Sequence, residues 1–150
     1  MRISLAIAIV LLAVPALADS TSDTTLSIEI GRFGVMLDHA AAAEKLLAPK
    51  AQAETAASLE GGTLFERLAR TVRRFNVLSA HLCAEITLPQ ADCQGPFLPA
   101  WLSAPEGDRD DPERLRAMVD EAAQHIGDFW SDVCALAKAK GAGPHFCDIE

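Results

Sequence analysis

The chain has 150 residues, enough for one domain with a real core and too few for two comfortable ones. Its formal net charge of −8 argues against a nucleic-acid partner held through a phosphate footprint. Aromatic residues make up only 5%, tyrosine is absent, and the abundance of alanine and leucine favours helix.

Residues 1–18 read as a cleavable export signal. Met1 and Arg2 form a minimal positive region, residues 3–14 are apolar except for Ser4, and Ala16-Leu17-Ala18 places small residues where a signal peptidase inspects them. The apolar run falls short of the roughly 20 residues that span a bilayer, and Pro15 ends it. Residues 19–150 are then expected to be one helical domain, exported to a periplasm or secreted, with no membrane span once the signal is gone.

The first helix is expected over residues 28–48. Leu26, Ile30, Phe33 and Leu37 step by four, three and four, and an alanine run follows. A competing signal lies within it: Leu26, Ile28 and Ile30 alternate as in a strand, and Gly31 and Gly34 weaken a helix, so helix or strand stays open over residues 26–34. Residues 49–59 read as a short alanine-rich helix closed by Gly61.

A clearer helix opens at Thr63, where Thr63-Leu64-Phe65-Glu66 makes a capping box after Gly61-Gly62. Leu64, Leu68, Val72, Phe75, Leu78, Leu82 and Ile86 form its apolar stripe, and Pro89 stops it. Arg67, Arg70 and Arg74 form a basic stripe on the same helix. They are expected to lie on a solvated face paired with acids such as Glu66 and the 106–113 cluster, or to hold an acidic partner.

Residues 89–110 form one long Pro-containing loop, a length that is usually functional or tied down. Phe97, Leu98, Trp101 and Leu102 either fold back over the helices or stand out as an apolar lip for a partner, and this loop is the leading candidate for a binding surface. The acids at 106–113 lack the spacing of a calcium loop and read as a soluble segment that supplies a helix cap. The last helix opens at Asp111-Pro112-Glu113. Its stripe is Leu115, Met118, Val119, Ala122, Ile126, Phe129, Val133 and Leu136, and glycines at 141 and 143 with Pro144 close it. The fold class is therefore all-α, a bundle of three or four helices.

Four cysteines in an exported chain point to two disulfides. If the two long helices pack antiparallel, Cys83 and Cys134 lie about 30 Å apart and cannot bond. Local pairing, Cys83–Cys93 and Cys134–Cys147, needs no assumption about packing and is favoured; Cys83–Cys147 with Cys93–Cys134 is the main rival.

A second reading makes the chain a His/Cys metal-binding protein, since His81-Leu82-Cys83 and His145-Phe146-Cys147 share a spacing. On a helix, residues two apart point about 200° from each other, so His81 and Cys83 cannot chelate one ion together. His39 and His125 read as partly exposed surface residues, and Ser79, Ser131 and the carboxylates form no activated pair at helical spacing. The expected function is thus non-catalytic: an exported helical protein without a cofactor that binds a protein partner or a small apolar ligand.

Overall fold

The computed structural model describes residues 18–48, 61–86, 93, 95–143 and 145–149. The signal reading for residues 1–17 and the short helix at 49–59 fall outside the described residues. Within them the protein is all-α and carries two disulfides. It has three long helices, α1 (Ala18–Leu47), α2 (Leu64–Glu85) and α4 (Pro112–Ala139), with a four-residue helix α3 (Glu106–Arg109) and a 3₁₀ turn (Ala100–Ser103) between α2 and α4. Among the described residues no helix is long and apolar enough to cross a membrane.

Helix α1 settles the ambiguity at residues 26–34 as helix, and it starts ten residues earlier than the apolar periodicity indicated. Ser20, Thr21, Ser22, Thr24 and Thr25 are indifferent helix formers, so local propensity gave no signal there. Tertiary packing decides: Leu26, Ile30, Phe33, Leu37, Ala40 and Leu47 are all buried on one face.

Helix α2 begins as its capping box predicts. Thr63 Oγ1 accepts from the Glu66 N–H at 3.2 Å, and the Thr63 N–H donates to Glu66 Oε2 at 2.9 Å. The turn before it uses φ near +80° at both Gly61 and Gly62, a conformation that a side chain disfavours. Helix α4 is capped by Asp111, whose Oδ1 accepts from the Arg114 N–H at 2.8 Å, with Pro112 in the first turn. It ends in a Schellman motif: Ala142 N–H bonds the Ala137 carbonyl, Gly141 N–H bonds that of Lys138, and Gly141 takes φ +95°.

All three long helices run parallel. Ser27 meets Arg67, Asp38 meets Arg74 and Glu44 meets His81, so α1 and α2 ascend together. Glu29 meets Arg116 and His39 meets Trp130, so α4 ascends beside them. The end of α1 and the start of α2 therefore lie at opposite ends of the bundle, as do the end of α2 and the start of α4. The antiparallel packing considered above does not occur: Cys83 and Cys134 lie toward the same end. The disulfides are nonetheless local, Cys83–Cys93 with Cα atoms 5.6 Å apart and Cys134–Cys147 with Cα atoms 5.7 Å apart.

One apolar core joins the three helices. Phe75 and Phe129 meet edge to face at its centre, 5.2 Å between centroids. Leu68, Val72, Leu78, Leu82, Val119, Ile126 and Val133 are fully or almost fully buried around them, each contributing roughly 1.5–3 kcal/mol by leaving water.

Candidate functional site

Helix α1 packs directly against both α2 and α4, but α2 and α4 meet each other far less, and the long loop fills the groove between them. From Cys93, beside Cys83, it runs back toward the start of both helices. Asn76 holds it by a reciprocal pair: Nδ2 donates to the Phe97 carbonyl at 2.9 Å, and Oδ1 accepts from the Phe97 N–H at 2.8 Å. The Phe97 ring stacks on His125 at 4.0 Å and meets Phe75 edge to face. Trp101 meets Phe65 edge to face, and its Nε1–H donates to Glu121 Oε2 at 2.9 Å. Arg109 closes this strap, with Nε bonded to the Ala104 carbonyl and the guanidinium 4.8 Å over the Phe65 ring.

The loop residues singled out by sequence thus have two different fates. Phe97, Trp101 and Leu102 pack against the core and are half-buried, whereas Leu98 stands 71% exposed. They do not form one continuous exposed lip. The physical reason is the groove itself, where Phe97 covers Phe75 and Trp101 covers Phe65.

The arginine stripe is only partly solvated: Arg74 is buried, whereas Arg67 and Arg70 are half-exposed. Arg67 donates to the Ser27 hydroxyl at 2.7 Å, Arg70 to the Gly61 carbonyl, and Arg74, 5% exposed, lies 2.5 Å from Asp38. These three side chains line the α1–α2 seam and its entrance, and only Arg73 beside them is exposed. Arg67 and Arg74 take partners on α1, Ser27 and Asp38, because α1 lies along this face of α2.

Two clefts flank the strap. One, of about 460 Å³, lies toward α2 and is lined by Ala80, Ala84, Gly95, Pro96 and the Cys83–Cys93 disulfide. The other, of about 550 Å³, lies between the strap and α4. Trp101, Met118, Ala104, Ala117 and Pro105 make it largely apolar, and Asp108, Arg114 and Glu121 form its polar rim. Arg114 is already paired with Asp108, and Glu121 with the Trp101 indole, so the rim is set before any ligand arrives. Volumes of 300–1,000 Å³ with a few fixed polar groups are those of ligand sites. Trp101 was visible as a candidate in the sequence, but Met118 and Glu121 were not. Met118 reads as an ordinary member of the α4 core stripe, and nothing local indicates that a loop edge will reach it.

Beyond the cleft, Asp128 and Asp132 continue the face of α4 that carries Arg114 and Glu121. Partial burial, together with the like charge of Asp128 one turn away, raises the Asp132 carboxyl above its ordinary value. The histidines are dispersed. His39 Nδ1–H donates to the Phe146 carbonyl at 2.9 Å, His81 pairs with the wholly buried Glu44, His125 stacks on Phe97, and His145 pairs with Asp148. Among the described residues no three His, Cys, Asp or Glu side chains converge on a point that would hold a metal. All four sulfurs are bonded to one another, which takes the thiolates out of the His/Cys set.

Fold and site together define a small all-α protein with two disulfide-locked segments and a preformed apolar cleft. Compared with protein-family models, curated proteins and solved structures, the chain matches none.

Proposed function

We propose that this chain is a non-catalytic exported binding protein, periplasmic or secreted, that receives an apolar group in the cleft between the strap and α4. The observation that carries the reading is the cleft: about 550 Å³ walled by Trp101, Met118 and small residues, with its rim groups already bonded within the protein. A site without a nucleophile and base in contact suits recognition rather than bond making. Export is supported by the signal pattern of residues 1–18 and by two disulfides, which persist in oxidising compartments.

The cleft is tested by titrating the ¹⁵N-labelled protein with N-acetyl-phenylalaninamide. The Trp101 indole N–H resonance is expected to shift while that of Trp130, buried in the core, stays in place. Substituting Ala117→Trp, at an exposed cleft position, is expected to abolish the shift. An unmoved Trp101 resonance up to the solubility limit would overturn the reading. Export is tested by the N-terminal sequence of the protein recovered from cells, expected to begin at Asp19, and by thiol titration in denaturant, expected to find no free thiol.

A further inference from the structure

Between residues 106 and 132 the chain carries nine acids against three arginines. All three arginines are engaged: Arg109 lies on Phe65 and the Ala104 carbonyl, Arg114 on Asp108, and Arg116 on Glu29. Asp108 at the cleft rim is thus neutralised, while Glu121, bonded only to the neutral Trp101 indole, and the acids of the helix face beyond it keep their negative charge. That charge has a direction. Steps of seven and four place Glu121, Asp128 and Asp132 in one row on α4, starting at the cleft rim. The row is about 16 Å long at 1.5 Å per residue, the span of roughly five residues of extended chain and longer than a small ligand bound in the cleft.

We infer that the cleft and this acidic row bind a basic segment of a partner protein, with one apolar side chain seated beside Trp101 and Met118 and lysines or arginines lying along Glu121, Asp128 and Asp132. The inference rests on the binding reading above and specifies its partner. Charge complementarity selects the occupant: an acidic or neutral segment with the same anchor leaves the row unpaired, whereas a basic one relieves the mutual repulsion of Asp128 and Asp132. Partial burial first, and the like charge of Asp128 second, raise the Asp132 carboxyl.

The test uses the full exported chain and matched short peptides in which Phe, Leu, Met or Trp is flanked by lysines, glutamines or glutamates. Binding is read by calorimetry at low salt. Lysine peptides are expected to bind tightest and to weaken about three- to tenfold in the Asp128→Asn/Asp132→Asn double variant, as for surface charge pairs, and again as salt is raised. Glutamine peptides are expected to be unaffected by either change. Equal affinity across the three charge classes would overturn the basic-partner inference and leave the cleft reading standing. Absence of binding by every peptide, together with an unmoved Trp101 resonance in the titration above, would overturn both. Both substitutions remove like charge from an exposed or half-exposed helix face, and circular dichroism of the variant checks that the fold is intact.

Discussion

The α1–α2 seam and the α2–α4 groove solve one problem in different ways. Each must cover an apolar face of α2. At the seam a whole helix does so, and three polar contacts, Ser27–Arg67, Asp38–Arg74 and Glu44–His81, hold it at successive levels. At the groove a segment with only one turn of 3₁₀ helix does so, held by Asn76, a Phe97–His125 stack and the Trp101–Glu121 bond. The strap leaves a cleft on either side, toward α2 and toward α4, whereas the seam opens into a cleft of about 480 Å³ at its lower end, beside Ser27 and Thr63. The two clefts beside the strap follow from the second solution being used on one side of α2.

That contrast can be broken from the inside out. Phe129 is completely buried behind Phe75, whose other edge the strap covers, so Phe129→Ala is expected to cost about 3–5 kcal/mol in urea unfolding. A much smaller loss would mean that the strap can settle into the space left. Replacing both Cys83 and Cys93 by Ser removes the anchor of the strap, and for a loop of this length the chain-entropy model gives about 3 kcal/mol. Hydrogen exchange in this variant is expected to accelerate over residues 95–104 and to leave the α1–α2 seam protected.

The two sets of polar pins are compared by Asp38→Ala and Asn76→Ala. The first leaves the Arg74 guanidinium buried without its carboxylate and is expected to cost about 1–3 kcal/mol. The second removes two backbone hydrogen bonds from the strap and is expected to cost about 1–2 kcal/mol, together with a shift of the Trp101 resonance. If Asn76→Ala leaves Trp101 unmoved, the strap is held by its rings alone.

The smallest effect has the opposite sign. Asp132→Asn removes a like-charge contact one turn from Asp128 and is expected to stabilise the protein at pH 7 by about 0.2–0.5 kcal/mol. A carboxyl raised on folding favours the native state while it is protonated. This contribution is therefore fully present below the unfolded value near 3.8 and is lost as pH rises through the higher folded value. The gain from Asp132→Asn is expected to vanish when unfolding is measured at a pH below that window.

The two later helices were legible because their signals are local. The Thr63–Glu66 box, Asp111-Pro112 and the stripes through Leu68, Phe75, Val119 and Phe129 name the start and buried face of α2 and α4. Periodicity identifies a face but not what covers it, nor the direction of the neighbour. For that reason the parallel arrangement was invisible, and nothing in the sequence indicated that Arg67 and Arg74 meet α1. The cysteine pairing came through because it depends only on nearby residues. The cleft did not, since Trp101 lines it from a loop and Met118 from a helix, a juxtaposition that no sequence spacing announces.

The parallel course of α1, α2 and α4 also constrains how the chain reaches this state. An up-and-down bundle assembles from hairpins whose contacts lie close in sequence. Here the Ser27–Arg67 contact joins residues 40 apart and Glu29–Arg116 joins residues 87 apart. Large loops must close before these contacts form, and such topologies fold more slowly than helical hairpins of equal stability. During that interval the acidic helix α4 and the bare groove are both accessible. The Cys83–Cys93 bond, which needs only neighbouring residues, can form early and hold the strap near the end of α2, shortening its search for the groove that it fills.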